Sequence, residues 1–159
     1  MKLTEAIAQH VLEVYEGNNW TEVAILPTLR DVTWREATTQ TPASPNIIAT
    51  LLHHLTFWNR VMARRAQGVA TDVGPANGFD APAVGKEADW QALLADSHQS
   101  AQELAAAIRS FDETKLPNTI LPGYASAYKN LQGAVEHLHY HLGQLVLLKK
   151  LVRGTHASA

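Results

Sequence analysis

The chain of 159 residues contains no cysteine. Disulfides are therefore excluded, and any thiol chemistry would need a thiol supplied from outside, as cofactor or substrate. There is no long run of either charge. Lys plus Arg total 13 and Asp plus Glu total 15, a formal net charge of -2, which argues against nucleic acid or an anionic membrane as partner and leaves small neutral or polar molecules. No segment is an uninterrupted apolar run long enough to span a bilayer, and the opening MKLTEAIAQHVLEVYEG lacks the apolar core of a signal peptide. The expectation is a soluble, cytoplasmic protein. Neither a Gly-rich phosphate loop nor a Gly-x-Ser-x-Gly elbow is present, which removes the commonest nucleotide and serine-hydrolase readings.

What is present is helical periodicity. The length suits one domain over residues 1–159, large enough to bury a core without a disulfide or metal to hold it. Leu3, Ile7, Val11 and Val14 recur at helical spacing up to Tyr15, with His10 on the same face as a hydrogen-bonded core histidine, and Gly17 ends the helix. From Trp20 to Gln40, Pro27 interrupts the pattern and predicts short helices, one opened by a Thr33/Glu36 capping box. Ser44 and Pro45 read as the N-cap and first position of a second long helix reaching about Ala66, with Gly68 closing it. Residues 68–88 have no period and read as a loop, either a lid over a site or a disordered connector. Asp89 reads as the cap of a third helix to about Phe111, with His98 at its margin, and a fourth should run from about Ala125 to Val152.

The fourth helix carries EHLHYHLGQL, residues 136–145. His137 and His141 stand one turn apart and project from nearly the same line beside the apolar stripe Leu131, Val135, Leu138, Leu142, Leu145. His54 holds the corresponding position beside the apolar face of the second helix, while His53 points about 100° further round. Facing helices would bring His54, His137 and His141 together, and three imidazoles with open positions form a catalytic-type site for zinc, nickel or iron. The competing reading is a merely polar helix edge. His139 points well away and reads as an exposed or interface residue, and Tyr140 lies off to the other side with Leu147 and Leu151 in a second stripe that suggests a dimer seam. A di-iron carboxylate centre would need a second Glu-x-x-His beside Glu136/His139, and there is none. Gln144 is placed to orient a ligand or water.

LLHHLTFW with His54, followed by a last helix with His137, His141, Gly143 and Gln144 as His-x-x-x-His-x-Gly-Gln, resembles the DinB-like (YfiT-related) metal-dependent proteins. The likeness covers nearly the whole chain. It implies an all-α, four-helix bundle with long crossover connections in up-down-down-up order, often dimeric, binding one divalent metal through His54, His137 and His141. The activities it implies are those of a thiol S-transferase using a low-molecular-weight thiol, or of a hydrolase, acting on a small-molecule substrate. A non-catalytic metal- or ligand-binding dimeric module for stress response is the alternative. No catalytic residue beyond the metal ligands is indicated.

Overall fold

The computed structural model describes residues 2–156, and the outermost positions of the expected 1–159 domain, residue 1 and residues 157–159, lie outside them. It is all-helical, with α1 (Leu3–Glu16), α2 (Ile25–Leu29), α3 (Trp34–Ala37), α4 (Ile48–Ala66), α5 (Glu87–Arg109), a 3-10 turn (Glu113–Lys115) and α6 (Ala127–His156). The four long helices form a ring in the order α1, α5, α4, α6, each packed on its two neighbours. Their apolar faces meet in one core. On α6, Leu131, Val135, Leu138, Leu142 and Leu145 are all 3% exposed or less, and each such side chain contributes about 1.5–3 kcal/mol by leaving water.

Polar contacts fix the helix directions. Tyr15 bonds Ser97 and Arg109 pairs with Glu5, so α1 and α5 are antiparallel. The end of α6 is tied to the α2–α3 segment through Lys149 and Arg153 on Asp31, and through Arg153 on Glu36. The start of α5 reaches the same segment, where the backbone N–H of Trp34 donates to Glu87. This is the expected up-down-down-up order, in which α4 and α5 run parallel. Parallel neighbours need a connection as long as a helix, which is why the chain spends residues 67–86 travelling back along the bundle.

Several boundaries differ from the sequence reading. The α4 helix starts at Ile48, three residues late, because Ser44 closes a turn with Thr41 and uses its hydroxyl on the N–H of Asn46. Thr50 caps instead, its Oγ1 accepting from the N–H of Ile47. The third long helix opens after Lys86, and Asp89 sits within its first turn, accepting from the N–H of Gly85 and facing the positive helix end. The last helix extends to His156, beyond the expected Val152. The Thr33/Glu36 capping box is present as expected, and Gly68, at φ +83°, closes α4 while the N–H of Val69 reaches back to the carbonyl of Arg64.

Candidate metal centre

The α4 and α6 helices cross antiparallel with their histidine positions facing. His54 is buried at 3% exposure and His141 at 7%, with His137 half-buried between them. One ring nitrogen from each lies within 4.8 Å of the others, and the Nε2 atoms of His54 and His137 are 3.1 Å apart. Ligands bonded to one ion at 2.0–2.1 Å stand roughly 3 to 3.5 Å apart; the His54–His137 pair stands at that separation, and the full set lies within 4.8 Å.

The remaining nitrogens are held from behind. His54 Nδ1–H donates to the carbonyl of Asn77 at 2.7 Å, and His141 Nδ1–H donates to Gln144 Oε1 at 2.7 Å. Each bond fixes the tautomer that leaves Nε2 with a lone pair aimed at the cluster, the usual support for a ligating histidine. Burial lowers the pKa of all three rings. His137 falls to about 4, through burial first and then the charges His141 and His54 would carry. His54 is lowered by burial against the opposing pull of its Asn77 bond, and His141 by burial against that of Gln144. All three are neutral at neutral pH, the form that binds a metal.

The crossover loop is part of this construction. Phe79 stacks on the His54 ring at 4.1 Å and 15°, and Trp58 Nε1–H donates to Asn77 Oδ1 at 3.1 Å. Gly78, at φ +75°, is clamped against Phe57, where an added Cβ would lie 2.7 Å from the ring. Of the two readings of residues 68–88, the lid over a site is the nearer, since Asn77 and Phe79 line the cavity, and Asn77-Gly78 is a legible turn pair. The three rings close one end of a cavity of about 600 Å³ between α4 and α6, of the size that takes a small molecule. Trp58, Met62, Arg65, Asn130 and Ala134 lie further along its wall, and among the described residues lining it there is no aspartate or glutamate.

The sequence placed His54 inward of His53 correctly. Two other positions need correction. Tyr140, expected on the opposite side, stands at the cavity wall with its ring 4.9 Å from that of His141 while still 65% exposed. A long side chain near the edge of the stripe can lean over the mouth that its Cα faces away from. His139 is half-buried, with its Nε2 3.1 Å from that of His10. Packing of α1 against α6 creates that pair, and no helical wheel of one element contains it. His98 is at the margin as expected, paired with Glu16. Glu136 is exposed, so the di-iron reading finds no carboxylate at the cluster.

An all-α bundle with three imidazoles converging at an open cavity defines a helical protein whose site could hold a metal ion. A family model described as the DinB superfamily matches residues 19–145, most of the chain and all three histidines. The protein belongs to the DinB superfamily. No curated protein matches it. Among the described residues no helix is long and apolar enough to cross a membrane.

Proposed function

We propose that the protein is a metal-dependent enzyme acting on small organic molecules, with His54, His137 and His141 as ligands to one zinc, nickel or iron ion. The observation that carries this reading is three converging imidazoles, two of them braced from behind, at one end of a small-molecule cavity, joined by no carboxylate. Three protein ligands leave coordination positions open, whereas structural zinc sites are closed by four. Bound there, the metal would supply Lewis acidity, lowering the pKa of a water or thiol that reaches it.

The chain's own residues do the rest. Asn77 and Gln144 hold two rings in register, Phe79 and Trp58 lie against the His54 ring, and Tyr140 stands edge-on to His141 at the cavity wall. Thiol transfer is favoured over hydrolysis. Metal-site hydrolases commonly pair the ion with a carboxylate that takes the proton of water, and this wall offers none. A thiol is acidic enough to yield its proton on binding. The external thiol required by a chain without cysteine is the co-substrate, and a second copy of the chain against the Tyr140/Leu147 seam completes the assembly.

The test is elemental analysis of the protein as isolated, then a panel of low-molecular-weight thiols and electrophiles with the metal-loaded form. Expected are about one metal per chain and turnover that needs both metal and thiol. Stoichiometric metal with no turnover of either thiol-transfer or hydrolysable substrates would leave a binding module instead.

A further inference from the structure

One charged side chain of the cavity has no counter-charge. Arg65 is 8% exposed, its Nε is buried without a hydrogen-bond partner, and its Nη1 donates to nothing better than Met62 Sδ at 3.8 Å. The guanidinium lies between two aromatic rings, 5.4 Å from the centroid of Trp58 and 4.7 Å from that of Tyr124. Arg60, Arg109 and Arg153 each pair with carboxylates, while among the described residues no carboxylate lies in ion-pair range of Arg65. Cation–π contact offsets part of the cost of burying such a group. It leaves the in-plane N–H donors, those that match a carboxylate, largely unused.

The position of Arg65 gives this a direction. It follows His54 by eleven residues, about 16 Å of helix rise and close to a whole number of turns, so both side chains share the α4 face that borders the cavity. Trp58 is the step between them, its ring 6.0 Å from that of His137. Along this wall Trp58, Met62 and Ala134 are apolar or aromatic, and the exposed Lys129 adds a second cation towards the rim. A polar hollow on the other side of Arg65 contains Asp112 on its wall, beyond ion-pair range.

We infer that the cavity takes an elongated organic acid, its carboxylate on the Arg65 guanidinium, its apolar body along Trp58 and Met62, and its reacting end at the histidines. One buried cation matches the single charge of a carboxylate. The placement of the reacting end rests on the metal-site reading; the carboxylate subsite does not. Arg65 is thus a specificity-determining residue for one of the two reactants.

The test uses the metal-free protein, with the change in intrinsic tryptophan fluorescence, to which Trp58 in the cavity wall contributes, reporting binding of hexanoate and of its uncharged analogue hexanol. Wild type should bind hexanoate at least tenfold tighter than hexanol. Arg65→Gln should remove that preference with hexanol affinity unchanged, and Arg65→Lys should keep part of it. Circular dichroism checks folding; if Arg65→Gln does not fold, the acid-over-alcohol preference of wild type and its reduction in Arg65→Lys decide. Equal binding of both ligands by wild type, binding of neither, or a preference that survives in folded Arg65→Gln each overturns the inference. Metal stoichiometry, measured separately on the same proteins, should not change in Arg65→Gln. Its absence from wild type would sink the metal reading while leaving the hexanoate result to stand or fall alone.

Discussion

The Nε2 atoms of His54 and His137 lie 3.1 Å apart across a chain separation of 83 residues. Without an ion His137 Nε2–H can donate to the His54 Nε2 lone pair; a cation bound by all three rings would take the place of that single bond. Replacing His54 or His141 by Ala should abolish stoichiometric metal binding and metal-dependent turnover, with the helical circular dichroism signal retained. His141→Ala is the cleaner probe, since His54 also carries the Phe79 stack. Full metal occupancy in either variant would refute the three-histidine ligand set.

Gln144 touches the site only through His141. Losing its bond to Nδ1 frees the ring to rotate and to change tautomer, and a supporting contact of this kind is typically worth 10–100-fold in metal affinity. Gln144→Ala should weaken binding by about that factor while leaving the ligand set intact. With cobalt as the reporting ion, the visible spectrum of the saturated variant should match that of wild type. A changed spectrum would show that Gln144 does more than orient.

How much of this was legible follows from where the information resides. The His137/His141 line and the inward aim of His54 are properties of single helices, and 3.6 residues per turn fixes them. The bracing of the site is not of that kind. Asn77, Gly78 and Phe79 lie in a stretch without period, and only the parallel run of α4 and α5 makes that stretch cross the bundle beside His54. Arg65 reads in sequence as a favourable charge at a helix C-terminus; its burial between Trp58 and Tyr124 depends on the segment that leads into α6. The late start of α4 is subtler, since Ser44 does cap a turn, only not that of the helix.

Gly78 is where the loop and the helix come closest. A methyl group there meets Phe57 at 2.7 Å and needs a backbone at φ +75°, which side chains rarely adopt. Gly78→Ala should cost about 1–3 kcal/mol of stability, read from denaturant unfolding. Because Asn77 is its neighbour, the same change should displace the carbonyl that holds His54 and weaken metal affinity. A loss of stability with unaltered metal affinity would show that the loop and the site are uncoupled.

Along the exposed edge of α6, Tyr140 at the cavity wall is 65% exposed and Leu147, two turns further on, 56%. If this stripe is the seam between two copies, Leu147→Lys should convert a dimer to a monomer by analytical ultracentrifugation. An exposed substitution of this kind changes monomer stability by about 0.5 kcal/mol or less. A sedimentation coefficient identical in wild type and variant would remove the seam.

The histidine cluster also sets a pH dependence whose sign is fixed. With folded-state pKa values below the ordinary 6.5, and that of His137 near 4, the unfolded chain binds more protons than the folded one between those limits. Stability therefore rises with pH across this window and levels off above it. The metal-free protein should show a constant Tm above about pH 7 and a falling one as the pH drops towards 4. Protons and metal compete for the same lone pairs, so the loaded protein should release its metal within the same acid window, as a fall in Tm towards that of the metal-free form. Replacing His137 by Gln, which cannot take up the proton, should flatten the acid limb of the metal-free curve. A limb of unchanged steepness in that variant would assign the acid sensitivity to other groups.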